Sequence, residues 1–505
     1  MRSKNAAKNL ITFLIYEVFV FALGIVFPRF IILTYGSEVN GLISTITRLL
    51  SLINLIQAGA VGAAIYQMYK PVADNDFETQ SAILYSSRNY YKRISVIFLG
   101  IAFIVSIIYA FILKNGNLSF IEIVTAFFVL AVNGALALRI NSICDIFLSS
   151  HQKKYYLTIS SIANQIIHYS FLSIVLIFKL HFLFINIAIL LGGVVSYLLN
   201  IFFYLKLSKG KITRNPTNKQ YYIPDKKYLM FSSIGTEAVS ASPQVIISTV
   251  FGLASSSVFS VYSLIFISMK TIINSIQLSV SAIFGNLVKT SSDEHIAFVF
   301  DIIALITIGL GTILVSCLSF LIIPFIQLYT RGITDIEYLH YSLCVFVVFF
   351  TIVFSFRTSF GYVATVYGLF KKTCFITLFS GGSGIVISIV SGILWGMPYV
   401  MVGLICDLLA SSIATIVVMK NNISWFTVRR VVIRTIVMAF FSVVGFSLYR
   451  LVSPTMENWI QWIVWGCIVG ATSSVFFIVY CIMFERKQTK YLVQYVKRIL
   501  SKKGD

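Results

Sequence analysis

Long apolar stretches separated by short polar connections form the dominant pattern of this chain. Each stretch is long enough to cross a bilayer core of about 30 Å as an α-helix, and helices satisfy their own backbone hydrogen bonds inside lipid. The pattern predicts about 14 membrane-spanning helices, at residues 10–35, 39–66, 93–113, 119–149, 156–178, 182–205, 229–252, 258–285, 298–323, 339–368, 374–395, 398–419, 434–452 and 459–484.

The composition agrees with an all-α polytopic membrane protein. Of the 505 residues, 58% are hydrophobic and only 11% are charged, which is far from the balance of soluble domains. The first apolar stretch contains Glu17 and Arg29 and continues without a small-residue cleavage pattern. We therefore expect a membrane helix there and not a cleavable signal peptide.

Positive charge is unevenly distributed between the predicted connections. The formal net charge is +21, and about 30 of the 39 Lys and Arg residues, including Arg88 and Arg434, fall on one side of the membrane. Because the side richer in Lys and Arg faces the cytoplasm, both termini are predicted to be cytoplasmic. The basic balance therefore indicates membrane topology, and no nucleic-acid partner is expected.

One connection is polar enough to divide the chain. Residues 206–228 are rich in Lys and Arg and contain two prolines, which predicts a basic cytoplasmic linker. It separates an N-terminal six-helix lobe at 1–205 from a C-terminal six-helix lobe at 229–419. Two appended helices follow at 420–484, and residues 485–505 form a basic amphipathic tail that we expect on the anionic inner leaflet.

The first helices of the two predicted lobes share features that favour a parallel repeat. Each contains a glutamate, a proline that is a candidate hinge, and a glycine near its end: Glu17, Pro28 and Gly36 in one, and Glu237, Pro243 and Gly252 in the other. Elsewhere, closely spaced glycines such as Gly381 to Gly384 permit tight helix packing.

An arginine in the middle of an apolar helix is the most unusual feature of the chain. Arg357 stands 11 residues before Gly368, about 16 Å along a helix and near mid-membrane. A charge at that depth costs from about 2.5 kcal/mol upward, so it normally faces a cavity or a partner.

Four other basic residues lie within predicted spans and, with Arg357, predict a cationic cavity for an anionic substrate. A guanidinium binds phosphate bidentately, so a pyrophosphate-linked lipid fits such a cavity. The alternative is that some of them snorkel to an interface or form structural ion pairs. The four are Arg29, Arg48, Arg139 and Lys270.

The acidic residues within spans are Asp145, Asp407, Glu17 and Glu237, and the last two admit two interpretations. Glu17 and Glu237 either neutralise a cavity arginine in a structural salt bridge or bind a coupling H⁺ or Na⁺. The salt bridge is the favoured interpretation. No other cofactor is expected.

No catalytic or metal-binding motif is present in the sequence. The seven Cys lie singly, so neither a disulfide framework nor a metal site is predicted, and P-loop, HExxH and nucleophile-elbow motifs are missing. The longest predicted external connection, Pro324 to Tyr338, is only a loop. This argues against an integral membrane polymerase or glycosyltransferase, and we predict that the protein is not an enzyme.

Several stretches resemble bacterial polysaccharide flippases of the Wzx type, in the MOP superfamily that also holds lipid II flippases and MATE drug exporters. The most specific is Tyr35 to Asp76, which is similar to the second span of that family and the loop after it. The segment Arg357 to Lys372, with its GLFKK ending, is similar to the tenth span, and Gly403 to Ile405 and Lys4 to Asn9 also fit.

The resemblance implies 12 core helices in two six-helix lobes around a central cavity, with two extra helices. It also implies outward transport of an undecaprenyl-pyrophosphate-linked oligosaccharide. Family members carry basic residues in the cavity, so Arg48 and Arg357 inherit that role. Where relatives often have an acid before the glycine of the second span, this chain has Gln57-Ala58-Gly59, which puts ion coupling in question.

We therefore expect a flippase of the bacterial cytoplasmic membrane that works by alternating access, with H⁺, Na⁺ or the membrane potential as the energy source. Its predicted partners are the lipid-linked oligosaccharide, membrane lipids, and the polymerase and assembly proteins of capsule or exopolysaccharide synthesis. The alternatives are a MATE-like drug or cation exporter and an integral membrane polymerase or glycosyltransferase.

Overall fold

The computed structural model describes residues 2–57, 60–113, 117–213, 216, 226–452 and 456–501. The interior of the predicted linker, residues 214–215 and 217–225, lies outside the described residues, as do Ala58 and Gly59. The described chain is helical throughout and contains no strand, which confirms the predicted fold class.

Sixteen α-helices and two short 3₁₀ turns make up the described chain. The turns are Asn54–Gln57 and Met397–Val400. The helices are α1 Arg2–Tyr35, α2 Ser37–Ile53, α3 Ala60–Ala73, α4 Phe77–Ile112, α5 Phe120–Ser150, α6 Tyr155–Ile177, α7 Leu183–Ser208, α8 Lys226–Val250, α9 Gly252–Thr290, α10 Asp293–Tyr329, α11 Tyr341–Val366, α12 Phe370–Trp395, α13 Met401–Asn422, α14 Arg429–Val452, α15 Trp459–Phe484 and α16 Arg486–Ser501.

Twelve helical segments within the described residues are long and apolar enough to cross a membrane. They correspond to all of the predicted spans except 39–66 and 229–252. The span predicted at 229–252 is helix α8. The continuous helix predicted at 39–66 is wrong, because the chain forms α2, a 3₁₀ turn at Asn54–Gln57 and then α3. Tightening into a 3₁₀ turn is common at helix ends, and average hydropathy does not detect it.

Glycines at two equivalent points take a left-handed conformation. Gly36 follows α1 with φ 85°, and Gly252 follows α8 with φ 86°. A residue with a Cβ is disfavoured at such angles, so glycine permits the abrupt change of direction. The candidate hinges Pro28 and Pro243 lie inside α1 and α8. This similarity supports the parallel repeat, which stays a prediction.

The structure divides into two compact units, each described separately. Unit 1 comprises Met1–Ser260 and Gly332–Ile336, and unit 2 comprises Val261–Arg331 and Glu337–Asp505. Unit 1 therefore includes α8 and the first residues of α9, which follow the predicted linker in sequence.

In unit 1, helix α5 packs against both α4 and α7, α6 packs against α7 and α1, and α2 packs against α8. Small residues let α2 approach the start of α9, since an added Cβ at Gly41 would lie 1.9 Å from the Leu253 carbonyl oxygen. Polar side chains satisfy one another at this contact: Asn40 Nδ2 donates to Ser257 Oγ at 2.8 Å and to Ser260 Oγ at 3.0 Å.

A carboxylate from a distant part of the sequence caps helix α2 within unit 1. The backbone N–H of Ser37 donates to Asp335 Oδ2 at 2.7 Å, and Ser37 Oγ donates to Asp335 Oδ1 at 2.9 Å. The first N–H groups of a helix have no partner inside the helix, and a negative charge there is also favoured by the helix dipole.

In unit 2, helix α10 packs against α11, α14 and α15, while α13 packs against α12 and α11. The predicted basic tail begins with helix α16, which packs against α15. Its Tyr491 ring makes an edge contact with Phe298 of α10, with ring centroids 5.4 Å apart. The first part of the tail is therefore attached to the helical core of unit 2.

Candidate functional site

Arg357 lies in the interior of α11, as the sequence predicted, and is half-buried. Its Nη1 donates to Ser411 Oγ of α13 at 2.8 Å. Helix α11 ends at Val366, and Gly368 follows with φ 68°, which accounts for the glycine of the GLFKK segment. The arginine is thus placed about nine residues, or roughly 14 Å, before the helix end.

A carboxylate lies close to this arginine. Asp407, one helical turn before Ser411 on α13, interacts electrostatically with Arg357 and accepts a hydrogen bond from Ser380 of α12. One of its carboxylate oxygens, Oδ1, is buried without a hydrogen-bond partner among the described residues. The sequence showed Asp407 as an acid within a span but did not indicate its pairing, because Arg357 is 50 residues away in the chain.

Glycines bring the two helices that carry Ser380 and Asp407 together. An added Cβ at Gly403 would lie 2.1 Å from the Gly384 carbonyl oxygen, and one at Gly384 would lie 2.9 Å from Asp407 Cβ. Such small-residue contacts are typical of close helix pairs in membranes. The glycines noted in the sequence therefore fix the position of the acid next to Arg357.

Lys270 belongs to the same part of unit 2. Its Nζ lies 5.7 Å from the centroid of the Phe354 ring, and Phe354 is three residues before Arg357 on α11, so the two share a helix face. A cation over an aromatic face is stabilised by the ring quadrupole. The structure thus brings Lys270, Arg357 and Asp407 together around α11.

In unit 1, Arg48 on α2 is half-buried and interacts electrostatically with Glu237 on α8. The salt bridge that the sequence favoured for Glu237 stays a prediction, because this pair is not among the four ion pairs of the described residues. Glu17 and Arg29 lie on α1 and are half-buried. Among the described residues, Glu17 takes part in none of the four ion pairs.

Arg139 occupies a different place in unit 1. It lines a cavity of about 380 Å³ between α4, α5 and α7, together with Arg88. That cavity contains none of the other four basic residues predicted within spans. The sequence assigned Arg88 to a cytoplasmic connection, because it precedes an apolar run. That position gives no indication that Arg88 and Arg139 line the same cavity.

A second cavity of unit 1 is lined by apolar and neutral polar side chains together with the charged Asp145 and Lys154. It has a volume of about 450 Å³, and its lining includes Tyr16, Asn141, Ser161 and Asn200. Asn200 Nδ2 donates to Asn141 Oδ1 at 2.9 Å. Amide and hydroxyl groups in an apolar helix bundle suit ligands that both donate and accept hydrogen bonds.

The described residues contain no group of three or more His, Cys, Asp or Glu side chains that could hold a metal ion. The seven cysteines are free thiols.

Comparison with known proteins found similarity in structure alone. No protein-family model matches the chain, and no curated protein sequence matches it. The structure of the lipid II flippase MurJ in an inward closed conformation matches with a TM-score of 0.69 and 15% identity, over 94% of this chain and 99% of that chain.

Two structures of MATE transporters also match. An inward-facing multidrug resistance MATE transporter of the MOP superfamily gives a TM-score of 0.65 at 12% identity, over 81% of this chain and 94% of that chain. A MATE protein in the bent conformation gives a TM-score of 0.55 at 12% identity, over 88% of this chain and 98% of that chain. This chain therefore has the polytopic all-α fold of these solved transporter structures.

Proposed function

We propose that this protein is a flippase that moves an undecaprenyl-pyrophosphate-linked oligosaccharide from the inner to the outer leaflet of a bacterial cytoplasmic membrane. The observation that carries the proposal is Arg357, held within an apolar helix by Ser411 and accompanied by Lys270. Buried charges of this kind mark transport pathways, and the fold is one found in a lipid II flippase.

The chemistry of the site suits a pyrophosphate. A guanidinium has five N–H donors, and the contact with Ser411 uses Nη1, so the planar group retains donors for phosphate oxygens. In a low-dielectric interior the attraction between phosphate and guanidinium is stronger than in water. Asp407 offsets the charge of Arg357, which lowers the free-energy cost of holding that charge inside the helices when no substrate is bound.

The sugar requires different groups from those that bind the pyrophosphate. Amide and hydroxyl side chains have the hydrogen-bonding capacity that saccharide hydroxyls require. The prenyl chain would remain in lipid while the protein alternates between inward and outward access. Both termini are proposed to be cytoplasmic, because most Lys and Arg lie on that side.

We also propose an energy source and protein partners for this transporter. The energy source is H⁺, Na⁺ or the membrane potential, and the partners are polymerase and assembly proteins for capsule or exopolysaccharide. We propose a transporter without enzymatic activity, and its structural neighbours are transporters as well.

The test is the sidedness of lipid-linked oligosaccharide in cells with the wild type, with Arg357→Ala, or without the protein. A lectin or enzyme that reaches only the outer leaflet reports the flipped product. We expect both deficient strains to accumulate the intermediate on the inner leaflet. Arg429→Ala is the matched control, because Arg429 is exposed at the start of α14, and it should leave flipping unchanged.

Two results would replace this proposal. If the strain without the protein displays normal intermediate outside but makes shortened polymer, the protein is a polymerase. If purified protein exports cationic dyes and Arg357→Ala has no effect on oligosaccharide sidedness, it is a cation exporter. The second outcome is the main competitor, because MATE multidrug transporters share the fold.

A further inference from the structure

The cavity between α4, α5 and α7 is a separate concentration of positive charge in unit 1. Arg88 and Arg139 both line it, and its volume is about 380 Å³. Hydroxyl groups of Ser81, Tyr85 and Ser208 also face it. The cavity therefore combines two guanidinium groups with several hydroxyl groups in a space large enough for a phosphate group.

The positive charge of this cavity has no acidic counterpart in the lining itself; Asp145 follows the lining residue Cys144 and interacts electrostatically with it. None of the described residues lining it is Asp or Glu, and neither arginine belongs to the ion pairs found in the described chain. Two like charges that share one cavity repel each other. An anion with several oxygens would relieve that repulsion and accept hydrogen bonds from both guanidinium groups.

The start of the basic linker lies over one end of the cavity. Ile212 and Thr213 are part of the lining, and the Thr213 backbone N–H donates to Ser81 Oγ at 2.9 Å. Nearby, Lys211 Nζ lies 5.9 Å from the centroid of the Phe77 ring at the start of α4. The cavity is thus at the end of unit 1 that carries the linker, where a third cation is close.

An apolar stripe on α7 leads away from the cavity. Leu205 lines the cavity and is 48% exposed, while Phe202 and Leu198 are 56% and 62% exposed. Their spacing of three and four residues places them on one helix face, and they extend about 10 Å toward the middle of the helix. A free phosphate ion would make no use of this stripe, whereas an acyl chain would cover it.

We propose that this cavity is a binding site for the phosphate of an anionic phospholipid, with its acyl chain along Leu205, Phe202 and Leu198. Arg88 and Arg139 donate to the phosphate oxygens. The lipid would lie in the leaflet on the predicted cytoplasmic side. The site is distinct from the Arg357 region of unit 2, and its occupancy does not depend on the flippase proposal.

The test is native mass spectrometry of the purified full-length chain with added phosphatidylglycerol or phosphatidylcholine. We expect the wild type to retain phosphatidylglycerol preferentially and the double variant Arg88→Gln/Arg139→Gln to bind it about tenfold more weakly. Arg93→Gln is the matched control, because Arg93 is exposed on the same helix and does not line the cavity. It should bind like the wild type.

A second variant separates a lipid site from a site for free anions. Leu205→Ser should weaken phosphatidylglycerol binding but leave the binding of inorganic phosphate, measured by calorimetry, unchanged. The proposal is overturned if the double arginine variant retains the lipid, or if Arg93→Gln loses it equally. It is also overturned if inorganic phosphate displaces the lipid completely at equal concentration.

Discussion

Arg434 and Asp301 form an ion pair with a 2.8 Å separation between Nη1 and Oδ1, although only 1% of the Arg434 side chain is exposed. Arg434 Nε also donates to Glu485 Oε1 at 2.7 Å. Gln488 Nε2 donates to Asp301 Oδ2 at 2.5 Å. One buried arginine therefore joins α10 and α14 to the start of the C-terminal tail.

Replacing Arg434 with Gln should strongly destabilise the protein, because Glu485 would lose its cation in a buried site and Asp301 would keep only its ion pair with the exposed Arg430. Loss of one partner of a buried ion pair typically costs about 3–5 kcal/mol. Arg430→Gln is the control, since its side chain is 59% exposed and an exposed pair contributes about 0–1 kcal/mol. Thermal unfolding in detergent measures both, and equal midpoints for the two variants would contradict the prediction.

Ser411 should matter for transport because it fixes the guanidinium of Arg357. We expect Ser411→Ala to reduce flipping by several fold, less than Arg357→Ala, and Ser411→Thr to retain most activity because it keeps a hydroxyl. The neighbouring Ser412 donates to the Leu408 carbonyl within its own helix, so Ser412→Ala is the control. A transport rate of Ser411→Ala equal to that of Ser412→Ala would show that the contact is dispensable.

The close contact of α12 and α13 predicts a strong effect of a single methyl group. Gly403→Ala would place a Cβ 2.1 Å from the Gly384 carbonyl oxygen, and such overpacking typically costs about 1–3 kcal/mol. Gly382→Ala has no heavy atom within 4 Å of the new Cβ. We expect Gly403→Ala, but not Gly382→Ala, to lower both the unfolding temperature and the rate of flipping. If Gly403→Ala changes neither quantity, α12 and α13 can move apart at little cost.

The two interpretations of Glu237 can be separated by charge reversal. Glu237→Gln should lower the unfolding temperature because Arg48 loses its electrostatic partner, and Arg48→Glu combined with Glu237→Arg should recover most of that loss. Glu17→Gln is the control. If Glu237→Gln keeps full stability but removes the dependence of flipping on pH or Na⁺, Glu237 is a coupling residue instead.

Hydropathy predicted the helical fold because each span carries its own signal in consecutive residues. The pattern could not show the break at Asn54–Gln57, since a 3₁₀ turn changes backbone geometry without changing average polarity. The depth of Arg357 was likewise readable from its distance to Gly368.

Pairing between residues that are distant in the sequence leaves no signal in the hydropathy pattern. Arg434 was placed among the cytoplasmic basic residues because it stands at the start of an apolar run, yet its partners Asp301 and Glu485 lie 133 and 51 residues away. Arg139 was grouped with Arg48 and Arg357 by depth alone, and depth does not report which way a side chain faces. The three-dimensional structure was needed to place it in the same cavity as Arg88.

The cap that Asp335 provides for α2 means that unit 1 is not a continuous stretch of the gene. A fragment ending at Ser260 would contain Ser37 but lack its acceptor, and a fragment ending at the basic linker would also lack α8, which packs against α2. Co-expressed halves divided at the linker would therefore each begin folding with a surface that the other half must complete. During synthesis, unit 1 can acquire this helix cap only after residues 261–331 of unit 2 have been translated.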